Sequence, residues 1–229
     1  MQPVQPGSMD QSFLERAIGV LKLDRATYRG IVGDDKALGQ AWVIVILAGI
    51  LNGLGSARQV AKFSAEFQQR FTEATAGQQN VPEIDWSQFN STGSQISTII
   101  TSVIGVIISW LIFSALARWV ARAFFGSTDD EIASMSRMMG VVGWAYVPAL
   151  LGVLGVIPGI GGLLLFIVAI WGLLTQVWSV QAGTGLSTGK SWGAWFIASI
   201  LPAIILGGLC CVVFGAVLGT AGLFGAFGG

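Results

Sequence analysis

The sequence predicts an all-α fold, a polytopic integral membrane helical bundle of five transmembrane helices with an N-terminal amphipathic helix, and two observations carry that expectation. Of its 229 residues 53% are hydrophobic and only 10% charged, with a mean hydropathy of +0.72. A soluble domain carries about a quarter charged residues, so this chain lacks the polar surface that a globule in water needs. The second observation is placement. Charges gather in short segments and leave uncharged runs long enough to cross a bilayer, which takes roughly 20 apolar residues per helix. Five such runs lie near 38–55, 96–120, 138–157, 160–180 and 192–218. They divide the chain into a cytoplasmic amphipathic segment, 1–37, and a five-span membrane domain, 38–229, with an extracytoplasmic polar loop over 56–95.

The first ten residues are polar, and no short apolar stretch precedes the first long run. The first span is therefore expected to act as its own uncleaved insertion signal. Ser12 and Glu15 form a capping box, and Phe13, Leu14, Ala17, Ile18 and Leu21 then share one helical face, with Glu15, Arg16 and Lys22 elsewhere. Such a helix lies in the interface or packs on the bundle. Asp24 is the expected cap of a second short helix, and Asp34 or Asp35 of the first span. Beyond that span Val60, Phe63, Phe67 and Phe71 recur on one face of an amphipathic helix. Asn90-Ser91-Thr92 is a glycosylation sequon, of consequence only where the loop faces a secretory lumen.

The second span opens with Ser97, Thr98, Thr101 and Ser102, hydroxyls that bond back to their own helix or let helices approach. Thr128 and Glu131 read as a further capping box. Asp129, Asp130 and Glu131 could grip a divalent cation, but their place at a helix start favours capping. Pro158-Gly159 closes spans three and four into a hairpin. The last run is 38 residues without charge, generous for one crossing but cramped for two with a turn; its glycine-dense tail disfavours helix, so one crossing and a loose apolar tail are expected. Gly215 and Gly219 offer a close-packing face there.

With the N-terminus inside, the inner segments hold Arg16, Lys22, Arg25, Arg29, Lys36, Arg118, Arg122, Arg137 and Lys190, against Arg58, Lys62 and Arg70 outside. The positive-inside rule thus sets the N-terminus in the cytoplasm and the C-terminus outside.

The chain has no histidine, which removes the commonest general base and nitrogen metal ligand, and its zero net charge gives no footing for nucleic acid. Cys210 and Cys211 are adjacent and read as packing residues. The segment from Gly183 to Ser191 mimics a phosphate loop, but Thr184 stands where that loop needs glycine and no strand precedes it. No catalytic, cofactor or metal site is expected. The span cores lack charge, so the candidate polar or packing positions are Asn52, Trp144, Tyr146, Pro148, Trp171, Thr175 and Gln176. Trp42, Trp110, Trp192 and Trp195 lie toward span ends as in an interfacial belt, whereas Trp144, Trp171 and Trp178 lie deeper.

The stretch from Arg137 through Gly143-Trp144-Ala145-Tyr146-Val147-Pro148 to Gly152 resembles the third-span signature of the Yip family, the Ypt/Rab-GTPase-interacting membrane proteins. The turn at Pro158-Gly159, the run from Ala169 to Lys190, and the N-terminal stretch from Phe13 to Arg29 are similar to the same family; Gln181 departs from it where a basic residue is common. The resemblance implies five spans, a cytoplasmic N-terminus, no catalysis, and a role in membrane organisation or trafficking. The expected partners are membrane lipids and a membrane or cytoplasmic protein, with a homo-oligomer also open. The long polar arm of eukaryotic members is missing, which points to a prokaryotic cell membrane; an endoplasmic reticulum or Golgi membrane is the alternative. The competing expectation is a channel or transporter for a small neutral solute, lined by Asn52, Thr175 and Gln176.

Overall fold

The computed structural model describes residues 11–76, 87, 91–128, 132–157, 159–202 and 204, and among them no strand occurs. Two short helices, α1 (Phe13–Leu21) and α2 (Arg25–Gly33), precede the bundle. Four helices follow that are long and apolar enough to cross a membrane. They are α3 (Ala37–Thr75), α4 (Thr92–Phe125), a third segment over Met135–Leu154, and α6 (Gly161–Thr184). The third opens as α5 (Met135–Trp144) and continues as a 3-10 helix (Val147–Val156). A last helix, α7, runs over 188–202. The expected fifth span begins on it, and most of that span, with Gly215, Gly219 and the cysteines, lies outside the described residues.

The caps on α1 and α2 form as their residues dictate. The Ser12 amide donates to the Glu15 carboxylate (2.8 Å) and the Glu15 amide to the Ser12 hydroxyl (3.3 Å). Asp24 accepts from the amides of Ala26 and Thr27. The cap expected at α3 does not form: Lys36 holds that position with no side-chain bond. Asp34 accepts from the Lys36 amide (2.8 Å), ahead of the helix, and pairs with Arg16, while Asp35 pairs with Arg137. The cap of α5 is Ser134, which accepts from the Arg137 amide, and Glu131 of the expected capping box lies outside the described residues.

The helix that holds the first span does not stop at residue 55. It runs 39 residues without a break. At 1.5 Å per residue that is about 58 Å, well beyond a hydrocarbon core of roughly 30 Å. The expected amphipathic helix is the continuation of this one, with Phe63, Phe67 and Phe71 stacked along it at centroid spacings of 6.0 and 6.4 Å.

The tightest helix pair is α3 against α4. Lipid gives no hydrophobic drive for helices to associate, so close backbone approach at small residues must supply it. Gly49 and Gly53, one turn apart, provide this: a Cβ on either would stand 2.8 and 2.7 Å from the Cα atoms of Val103 and Ile99. Replacing Gly49 by Leu should therefore force the pair apart and destabilise the detergent-solubilised protein by about 2 kcal/mol. Gly39→Leu, a site with nothing within 4 Å, should stay near wild type. Equal thermal unfolding of the two variants would refute the close-packing role.

Candidate functional site

Two regions gather the polar side chains of the apolar bundle. The first surrounds a break in the third span. Proline has no N–H and excludes the α-helical hydrogen bond that would pass through it, and Pro148 sits at the start of the 3-10 segment. Backbone groups freed in a bilayer must find partners on neighbouring helices. They do so here. The Thr175 hydroxyl of α6 reaches the Ala145 carbonyl (2.9 Å), which the proline leaves without a donor. Further back, inside α5, the Trp110 indole of α4 adds a bond to the Met139 carbonyl (3.0 Å), whose intrahelical donor Gly143 is still in the helix. Gly143 lets this segment close on α3: a Cβ there would meet the Ala41 Cβ at 2.5 Å.

The structure brings most of the candidate residues to this break. Trp144, Pro148 and Thr175 are buried, and Trp144 packs against the Phe13 ring of α1 at 5.0 Å. The Trp144 indole N–H is buried without a partner among the described residues. Gln176 accepts from the Trp195 indole (2.9 Å). With Tyr146, Ser109 and Ser199, Gln176 also lines a cleft of about 340 Å³ between α4, α6 and α7. Asn52 is not drawn in; it is exposed on α3. Trp110, expected in an interfacial belt, is instead fully buried at the break. Its separation from Met139 by 29 residues hid that partnership from the sequence.

The second region joins α1 and α2 to the bundle. A helix end leaves carbonyls without intrahelical partners. The Asp24 and Leu23 amides reach back to the Gly19 and Val20 carbonyls, and Leu23 adopts the left-handed conformation at φ 57°. That is a Schellman turn built on leucine where glycine is usual. Aromatic donors complete the end. Trp171 donates to the Leu21 carbonyl (2.7 Å), Trp178 to that of Leu23 (3.1 Å), and the buried Tyr28 hydroxyl to that of Val20 (3.3 Å). Trp171 and Trp178, expected deep in the bundle, thus stand on its flank two turns apart and hold the linker.

Arg16 anchors the other end of this region. It lies off the apolar stripe, as the periodicity has it, but buried, and pairs with Asp34 while donating to Gln40 (3.1 Å). Part of the apolar stripe faces outward, with Phe13 and Leu14 at 42% and 68% exposure, while Ala17 and Leu21 pack against the core. Burial pushes the Asp34 carboxyl up, but the Lys36 amide and the Arg16 guanidinium outweigh it and hold it below the ordinary aspartate range. At Asp24 the Thr27 hydroxyl is the main cause of a similar lowering.

These arrangements are structural in kind. No cluster of three metal-ligating side chains occurs among the described residues, and the stretch mimicking a phosphate loop is a helix end. There Gly185 takes φ 69° after α6, and Lys190 is exposed on α7. Asp129, Asp130 and Glu131 lie outside the described residues.

The break in the third span carries the feature that the family resemblance rests on, and a family model for the Yip1 domain matches residues 18–214. The chain belongs to the Yip family. No curated protein and no solved structure matches it. As a Yip-family chain with four apolar helices of spanning length, it is a membrane protein.

Thr175→Val keeps the shape of the side chain and strands the Ala145 carbonyl. It should destabilise the protein by about 1 kcal/mol; an unfolding midpoint unchanged from wild type would refute the patching role. Because the folded Asp34 carboxyl titrates below the unfolded one, its stabilisation is present at neutral pH and is lost as pH falls through that depressed value. Acidification below the ordinary aspartate range should release α1. Asp34→Asn should do so at neutral pH, leaving Arg16 buried without a charged partner at a cost on the order of 3 kcal/mol. Amide exchange protection in α1, corrected for the intrinsic pH effect, measures both.

Proposed function

We propose that this Yip-family protein is a non-catalytic membrane scaffold, acting in membrane organisation or trafficking through protein or lipid partners, with α1 and α2 on the cytoplasmic side. The observation that carries the reading is how the buried polar groups are spent. Thr175, Trp110, Trp171 and Trp178 each donate to a backbone carbonyl, and Trp195 to Gln176. Groups so engaged brace helices and leave no reacting constellation among the described residues. The balance of Lys and Arg supports the orientation.

A transport reading keeps one observation in its favour, the cleft of about 340 Å³ at Tyr146 and Gln176. Two measurements separate the readings. Purified in mild detergent, the scaffold should retain a membrane partner or a defined lipid, and recovery of neither would sink it. Proteoliposomes should show no flux of water or glycerol; a flux abolished by Gln176→Leu would install the channel in its place. In a Cys210→Ser, Cys211→Ser background, a cysteine at Lys22 should label from the cytoplasmic side alone, and labelling from outside would overturn the orientation.

A further inference from the structure

Arg25 and Arg29 stand one turn apart on α2 and open onto a cavity of about 160 Å³ completed by Tyr28, Trp178, Gln181 and Leu186. Neither arginine is paired with a carboxylate among the described residues. The Arg25 guanidinium lies over the Trp178 ring, 5.1 Å from its centroid. Trp178 is in turn fixed by its bond to the Leu23 carbonyl. A cation held by a ring face keeps its in-plane N–H donors unspent. Gln181 gives one amide hydrogen to the Thr188 hydroxyl (3.1 Å) and keeps its second.

The neighbouring carboxylate does not compete. Asp24 is taken up by the Ala26 amide and by the amide and hydroxyl of Thr27, at 3.1, 3.2 and 2.7 Å. The C-terminal end of α6 brings partial negative charge, worth roughly half a unit, against two full positive charges. The cavity is therefore cationic and rich in donors. Its complement is an anion with several oxygens in one plane of approach, the match of guanidinium and phosphate.

The height of the cavity selects the source. Phe13, Leu14 and Ile18 of α1 are exposed alongside α6 and belong beside hydrocarbon, and Trp171 marks the same flank. The cavity opens one to two turns higher, where α6 ends at Thr184 and the chain turns polar. That is the headgroup level of the same membrane face.

We infer that this cavity binds the phosphodiester of an anionic phospholipid headgroup, a chemistry that free phosphate shares. The inference needs the chain to lie in a membrane but does not need the scaffold role, so each is tested separately. The full chain in mild detergent is titrated with phosphatidylglycerol, phosphatidylcholine and inorganic phosphate, and bound lipid is read by native mass spectrometry. The wild type should prefer phosphatidylglycerol. Arg25→Gln with Arg29→Gln should weaken that binding about tenfold or more and abolish the preference while keeping the wild-type unfolding midpoint. Arg25→Lys with Arg29→Lys should recover part of it, and Lys22→Gln, a nearby exposed cation outside the cavity, should change little. A double glutamine variant with unaltered preference overturns the site. So does a Lys22→Gln variant that loses as much, since diffuse charge attraction then explains the effect. Competition by inorganic phosphate upholds the anion chemistry and overturns the lipid as its source.

Discussion

A helix broken inside hydrocarbon leaves backbone groups that water cannot reach, and the arrangement of the bundle follows from meeting that demand. Pro148 ends the α-helical hydrogen bonding of the third span, and the segment goes on in the tighter 3-10 form. Thr175 must then reach the Ala145 carbonyl from α6, while Trp110 of α4 adds a second bond to the Met139 carbonyl within α5. That fixes the depth and rotation of α4 and α6 relative to the break. The small residues serve the same end. Gly143 admits α3 at the break, and Gly49 with Gly53 draws α4 onto α3. Donors in the wrong register would leave stranded carbonyls, so packing and hydrogen bonding here select a single arrangement.

The N-terminal helices are joined to this frame by an unusual division of labour. Phe13, Leu14 and Ile18 are exposed while Val20, Tyr28 and Ile31 are buried in the core, and the polar attachments are the Arg16–Asp34 pair at one end and three aromatic donors on the carbonyls of Val20, Leu21 and Leu23 at the other. Burial of apolar area drives little here, because the alternative environment is lipid. Hydrogen bonds and one ion pair supply the specificity. The left-handed Leu23 between them costs on the order of 1 kcal/mol or more, and the indole of Trp178 holds the residue that bears that strain.

Much of this was legible in the residues. Composition and run lengths identify the membrane class and the first four spans, and short-range cap signals at Ser12, Glu15 and Asp24 are realised because their partners lie within three residues. What failed to show was long-range. Periodicity places Arg16 off the apolar stripe, and a soluble helix would then turn it to water; in a membrane the same helix turns it inward to Asp34. Gly49 and Gly53 carried no more sequence signal than Gly215 and Gly219, since only the facing backbone of Val103 and Ile99 gives the pair meaning. The candidate residues at the break were recognisable from proline and aromatic content. Asn52, chosen for polarity alone, faces away from it.

The overlong first span has a mechanical side. Twenty of its residues, 56 to 75, continue the same rigid rod, projecting about 30 Å past the expected end of the membrane-crossing part. A rod anchored at one end by glycine contacts is a lever. A change of about 20° in span tilt, the size of ordinary transmembrane tilts, would sweep its far tip roughly 10 Å sideways, so small rearrangements among the helices would be magnified at the end of the rod farthest from α1 and α2.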